Sequence, residues 1–299
     1  MRITILVGGS SEREISLLSG KAVKKSLLNL GHSIEVIDIK DQDIFNLKNF
    51  NTDLVFIALH GGIGENGIIQ SLCEFYNMPY TGSGVLASAL AMNKVLSKRV
   101  FKSFGINVAE GIYGKSNIII NNNSIGYPYV IKPIDGGSSI GIYIIKNKKD
   151  INNVENFNNE ILIEPYIEGR EVSATVFNNK VLGIVEIIYP DKLYDYNAKY
   201  SSKHTKYVFP KDLNNEVEFE IHDYALKAHK SLGCKGLTRA DFRLDINNNL
   251  KPILLEINTL PGLTDHSLVP KIAKNVGIDF DELISMIIED ALNWISTLK

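Results

Sequence analysis

Thr238–Gly262, TRADFRLDINNNLKPILLEINTLPG, is the stretch on which the fold of this chain turns. Leu237–Leu244 and Pro252–Ile257 read as strands, and Asn247, Asn248 and Asn249 between them are strong turn formers, so an antiparallel hairpin is predicted. In a regular pair, opposed residues have a constant index sum. Asp241 with Glu256 and Arg239 with Asn258 share the sum 497, so if one pair is opposed the other is too. Positions two apart on a strand face the same way, which puts all four side chains on one face. Opposed carboxylates lie ~4.5–5.5 Å apart and repel unless a cation or proton intervenes. An Asp, Glu and Asn oxygen set suits a hard cation such as Mg²⁺ shared with phosphate oxygens. The alternative is a solvated face with a surface Arg–Asp pair, and a one-residue slip would dissolve the pairing.

Working outward, VIKPIDGGSSIGI (130–142) supplies what such a site needs. A strand delivers Lys132 to its end, and Gly136, Gly137, Ser138 and Ser139 form a loop whose backbone N–H groups and hydroxyls can approach phosphate. The Lys precedes the glycines, so this is no Walker A motif, and a plain turn is the alternative. In LVGGSSEREIS (6–16), Glu12 follows a glycine turn at the mouth of the first strand–helix loop. It reads either as a site residue or as a helix-start carboxylate favoured by the dipole. In ALHGGIGENG (58–67), His60 at a strand end is either a turn histidine or a substrate contact.

The rest of the chain frames these segments. Ile3–Val7, Ile34–Ile39 and Leu54–Leu59 are strand-like and Glu14–Leu30 is helical, which predicts right-handed βαβ units and a parallel sheet. An apolar helix near Val85–Phe104 leads to strands at Ile112, Tyr129–Lys132 and Ile142–Ile145, with Asn-rich loops at Asn121–Asn123 and Asn152–Asn159. Then come a strand at Val181–Ile188, a polar loop through Pro210, a helix at Val217–Leu232, the hairpin, and a helix at Asp279–Leu298. Three modules, 1–84, 85–178 and 179–299, are expected.

With 32 Lys plus Arg against 34 Asp plus Glu among 299 residues, the formal charge is −2, giving no field for nucleic acid or an anionic membrane. Arginines are scarce, at positions 2, 13, 99, 170, 239 and 243, and a planar fork is favoured where an anion must be gripped, so each is worth checking. Cys73 and Cys234 sit far apart without metal spacing and read as buried thiols in a reducing cytosol. No apolar run approaches a membrane span, and the N-terminal one is too short for a signal peptide, so a cytoplasmic protein is expected.

Taken together, GGSSEREIS, LHGGIGENG, MNKVLSK, VIKPIDGGSSIGI, EPYIEGREVS, YDYNAKYSS, TRADFRLD…LLEINTLPG and NTLPGLTDHSLVP resemble the D-alanine–D-alanine ligase family of the ATP-grasp superfamily, in order and over nearly the whole chain. The resemblance implies an α/β fold, in part α+β, with three-module ATP-grasp architecture and an N-terminal parallel βαβ domain. It implies ATP-dependent joining of two D-alanines through an acyl phosphate, for peptidoglycan precursor synthesis, by a homodimer. By motif match, Asp241, Glu256 and Asn258 would hold two Mg²⁺ (or Mn²⁺). Lys94, Lys132 and Ser139 would meet the ATP phosphates, Glu164, Tyr166 and Ile167 the adenine, and Glu171 the ribose. Arg239 and the Gly262 N–H would stabilise the oxyanion. Glu12, tied to Ser138 and Tyr200, would bind the first D-alanine's ammonium beside His60, and Ser267 the second D-alanine's carboxylate near Lys199. Tyr200 favours the dipeptide over D-alanyl-D-lactate. Two departures from the family pattern are GGSSE, one residue shorter than in many relatives, and Leu260, commonly a small residue.

Three other readings are weaker. Glu12, Tyr200 and Ser267 argue against another carboxylate–amine ligase. The presence of Arg239, Asp241 and Glu256 argues against a non-catalytic nucleotide-binding regulator. GGSSE lacks the GxGxxG spacing of a dinucleotide-binding oxidoreductase.

Overall fold

Alternation of short apolar runs with glycine and asparagine turns builds three sheets among the described residues. The computed structural model describes residues 1–10, 12–39, 51–120, 124–155, 157, 160–189 and 204–296. Strands β1 (Arg2–Gly8), β2 (Ser33–Ile39) and β3 (Leu54–Ile57) form a parallel sheet in the order β2-β1-β3, as the βαβ pattern predicts. β4 (Ile112–Lys115), β5 (Tyr129–Pro133), β6 (Tyr143–Ile145) and β7 (Glu160–Pro165) form an antiparallel sheet in the order β4-β7-β5-β6. β8 (Gly169–Phe177), β9 (Lys180–Ile188), β10 (Lys206–Val208), β11 (Leu237–Asp245) and β12 (Lys251–Asn258) form the third, ordered β10-β9-β8-β11-β12.

β8 and β9 are joined by Asn178 and Asn179, both with positive φ, in a tight hairpin. The expected module break at 178/179 therefore falls inside one sheet, whose strands begin at Gly169. β7 and β8 carry no strand expectation, because their residues read first as a binding motif. The polar loop expected through Pro210 contains β10, which pairs with β9. Tyr207 and Phe209 pack there against Val185, Ile187, Leu268 and Ile272.

The helix expected over 85–104 is two helices, Val85–Met92 and Lys94–Ser103. Asn93 between them is extended, and its side chain accepts from the Val95 and Leu96 N–H groups at 3.1 and 3.0 Å. A cap in mid-run restarts the helix and turns Lys94 toward the next module. Helix Asn215–Ser231 buries Val217, Ile221, Ala225 and Ala228 against Val172, Ala174, Ala240, Phe242 and Leu254 of the five-stranded sheet. The C-terminal helix Phe280–Ser296 packs Leu283, Ile284, Ile287 and Ile288 on the first sheet and on Val23 and Leu27 of helix Arg13–Asn29. The two ends of the chain thus share a core.

Candidate functional site

The hairpin sets the site's floor. Arg239 opposes Asn258 and Asp241 opposes Glu256, as the sum 497 predicts, but the register shifts after Asp241, where Phe242 opposes Leu254. Leu255 is the extra residue. This bulge lets Leu254 and Ile257, three apart, both face the core while Glu256 and Asn258 stay on the open face. The opposed carboxylates do not confront each other unscreened. Arg239 grips Asp241 through two bonds of 2.7 and 2.8 Å, and Ser173 on the facing strand β8 donates to it at 2.6 Å. Glu256 pairs with Lys94 at 3.2 Å. Asn258 accepts from the Leu260 N–H at 2.9 Å, starting the turn toward Gly262.

Above this floor is an open cleft lined by residues of all three sheets' connections. Glu12, His60, Lys94, Ser138, Arg239, Glu256, Asn258, Gly262 and Ser267 line it, so nine of the expected residues converge. Lys132 and Ser139 line an adjoining recess that shares Lys94, Gly136 and Glu256 with the cleft. The expected Lys199 and Tyr200 lie outside the described residues.

Ser138 donates to Glu12 at 2.5 Å, linking the first strand–helix loop to the glycine loop after β5. Both residues, and Ser139, sit in the left-handed region (φ 47, 51 and 58), an unfavourable conformation for side-chain-bearing residues that clusters at functional sites. A Cβ on Gly137 would stand 2.7 Å from a Glu12 oxygen, so a side chain there would displace the Glu12 carboxylate from its place beside the loop. His60 is spoken for at both nitrogens: Nδ1 lies 3.1 Å from the Leu260 carbonyl and Nε2 3.0 Å from Ser19 Oγ. A carbonyl only accepts, so Nδ1 donates to it, while Nε2 pairs with the Ser19 hydroxyl. His60 therefore braces the loop after β12. Ser267 Oγ is held by Thr264 through its N–H (3.1 Å) and hydroxyl (2.8 Å), and a Cβ on Gly262 would come within 2.7 Å of it.

Beyond the recess, Glu164 is wholly buried between Lys132 and Lys98, each bonded to one of its oxygens. Burial disfavours its charge, but the two ammonium groups outweigh that and hold the carboxyl below its ordinary range. Burial likewise pulls Lys98 down to about 8, with Glu164 opposing the shift. Tyr166, Ile167 and Glu171 are gathered by Arg243, which sequence reasoning passed over. Arg243 donates to the Ile167 carbonyl (3.2 Å), Glu171 (3.3 Å) and the Tyr166 and Tyr189 hydroxyls (3.3 and 2.8 Å), with its guanidinium 5.6 Å from the Tyr166 ring centre. Burial and Glu171 raise the Tyr189 phenol, which stays protonated and donates to Glu171 at 2.7 Å. The signal for Arg243 was present: Arg239, Asp241 and Arg243 alternate on one strand face. Arg170 points elsewhere, bracing Glu186 and Asp212, and Arg13 pairs with Asp38.

Among the described residues no group of three His, Cys, Asp or Glu side chains could hold a metal. The donor set is instead two carboxylates and an amide, all oxygen, beside lysines and a glycine loop, and that chemistry fits a hard divalent cation accompanied by phosphate. A cleft offering a carboxylate at one end, ammonium and guanidinium groups along its floor and an adjoining recess lined by lysines and a glycine loop can bring an amine-bearing acid to an activated phosphate.

Residues 100–289 match the family model "D-ala D-ala ligase C-terminus" and residues 43–83 the "D-ala D-ala ligase N-terminus". A curated D-alanine–D-alanine ligase of Wolbachia pipientis wMel is 46% identical, over 97% of this chain and 94% of its own length. A crystal structure of a D-alanine–D-alanine ligase from Bacillus anthracis superposes with a TM-score of 0.88 at 32% identity, covering 100% of both chains. Another from that organism, complexed with ATP, gives 0.85 at 29% identity, again over 100% of both chains.

Proposed function

The chain belongs to the D-alanine–D-alanine ligase family, which has the ATP-grasp fold, and on that premise we propose that its cleft joins two D-alanines to D-alanyl-D-alanine for peptidoglycan precursor synthesis. The observation that carries this reading is the Ser138–Glu12 bond, which ties an ammonium-binding carboxylate to a phosphate-binding loop in one cleft.

A carboxylate is a poor electrophile with a poor leaving group, so its oxygen first attacks the γ-phosphate of ATP, releasing ADP and leaving an acyl phosphate. The amine of a second D-alanine then attacks the acyl carbon, and the tetrahedral adduct expels phosphate. Lys94 and Lys132 meet the phosphate oxygens, with Ser139 and the N–H groups of the glycine loop. Glu164, Tyr166 and Ile167 receive the adenine, and Glu171 accepts from the ribose. Asp241, Glu256 and Asn258 would hold two Mg²⁺ or Mn²⁺ ions, which would neutralise phosphate charge. Arg239 and the Gly262 N–H face the oxygen on which charge develops. Glu12 takes the first D-alanine's ammonium, with Ser138, Tyr200 and His60 fixing its position, and Ser267 and Lys199 take the second D-alanine's carboxylate. Tyr200 favours the dipeptide over the lactate ester.

The active form proposed is a homodimer, supported by Ile68, Phe75 and Leu86, exposed on helices Ile68–Phe75 and Val85–Met92. Sedimentation at micromolar concentration tests it. No described helix is long and apolar enough to cross a membrane. Use of ATP and two buried, unpaired thiols whose pKa burial pushes up to about 12 support a cytoplasmic site of action. Turnover of D-alanine labelled with ¹⁸O in its carboxyl group tests the chemistry: one label must appear in the released phosphate. Unlabelled phosphate would mean that no acyl phosphate forms.

A further inference from the structure

Lys98 takes no part in the assignment above, yet it completes a buried row of charges. Helix Lys94–Ser103 carries Lys94 and Lys98 one turn apart on one face. Lys94 reaches the Gly136 carbonyl at 2.7 Å and Glu256 at 3.2 Å. Lys98, 7% exposed, donates to Oε2 of Glu164, and Lys132, at the end of β5, donates to Oε1. Lys132 and Glu164 meet because β5 and β7 pair Val130 with Glu164, placing Lys132 diagonally on the same face. Lys132 lines the phosphate recess, whereas Lys98 borders a separate groove with Arg99 and Glu110. The row therefore has a ligand-facing end and a fixed end.

We propose that Lys98 is a positioning residue that keeps Glu164 paired, so that Lys132 can leave this carboxylate and turn to the ATP phosphates. The inference rests on the reading of Lys132 as a phosphate ligand. A buried carboxylate stripped of its counter-charge is strongly unfavourable. Were Lys132 the one cation on Glu164, ATP would have to break a buried ion pair to recruit it. With Lys98 on the other oxygen, Glu164 stays balanced and Lys132 exchanges one anion for another. The arrangement also accounts for two lysines serving a single carboxylate, since one of them is then available to an incoming anion.

The test is calorimetric titration of Lys98→Met with Mg²⁺–ATP and, separately, with adenosine. Met keeps the stem's volume and removes the ammonium. ATP affinity falls about 10- to 100-fold, the worth of a charge-assisted contact withheld, while adenosine affinity changes less than about threefold. Lys98→Arg restores most of the ATP affinity. Equal losses for ATP and adenosine, or no loss for either, overturn the proposal, because Lys98 would then only pack the base slot. Should Lys98→Met fail to fold, Lys98→Met/Glu164→Gln, which removes one charge of each sign, is compared with Glu164→Gln. Equal ATP affinity is expected, and a further loss overturns the idea. Lys132→Met separates the premise: if it leaves ATP binding intact, the phosphate-ligand reading fails. If it weakens ATP binding while Lys98→Met does not, only the role of Lys98 is lost.

Discussion

Ser138→Ala removes one oxygen from the bond that ties Glu12 to the glycine loop. That bond is 2.5 Å long, charge-assisted, and set in a residue 8% exposed. Hydrogen bonds to charged groups contribute about 1.5–3 kcal/mol, and 1.4 kcal/mol is a factor of ten, so KM for D-alanine at its first site should rise roughly 10- to 100-fold. The backbone is a separate cost, because Ser138 has φ 51 and alanine inherits that strain, which is of order 1–3 kcal/mol. Ser138→Gly relieves the strain and also lacks the hydroxyl. It should melt no lower than the alanine variant yet show the same rise in KM, separating the hydroxyl's role from the loop's stability. The assay is the initial rate of ADP release, varying D-alanine at saturating ATP and then ATP at saturating D-alanine. KM for ATP should move less than about threefold, a shift too small for a lost contact. An equal rise in both KM values would refute the reasoning, since Ser138 would then support both sites alike and not the Glu12 contact in particular.

Arg239→Ala should lower kcat by about 10²–10³ with KM for ATP nearly unchanged, because its partner charge develops during the reaction, and equal losses would make it only an ATP-positioning residue. Asn93→Ala deletes the cap that restarts the helix at Lys94 and should cost roughly 1 kcal/mol in a urea titration, whereas an unchanged midpoint would mean that packing alone sets the break. Buried His229, 2.8 Å from Thr238 Oγ1, is pulled down to about 4, so between pH 6.5 and about 4 the unfolded chain binds a proton that the folded chain refuses. Stability should therefore fall with pH across that window, by up to roughly 3 kcal/mol from this group, and His229→Gln should flatten the dependence; parallel pH curves for the two proteins would contradict it.

The functional half of the hairpin was legible because alternation and index sums need only local geometry. The bulge at Leu255 was written there as well, in the three-residue step from Leu254 to Ile257, but a constant sum cannot represent it. Motif order disclosed which residues converge in the cleft, since Glu12, Ser138 and Arg239 are far apart in the chain. Lys98 and Arg243 stayed hidden for different reasons. Lys98 matters through Glu164, a partner 66 positions away on strand β7. Arg243 shares a face with Arg239 and Asp241, yet its partners Tyr189 and Ile167 are joined to it only by tertiary packing. The apolar run 85–104 misled because hydrophobic periodicity ignores a cap, and one Asn side chain overrode it.

The most direct measurement of the central claim is phosphate release from Mg²⁺–ATP, with the amino-acid product identified by mass. With D-alanine the account predicts one phosphate released per D-alanyl-D-alanine formed, little turnover with L-alanine, and dipeptide in preference to ester when D-lactate competes. Absence of D-alanine-dependent phosphate release, or equal rates with L-alanine, would contradict it.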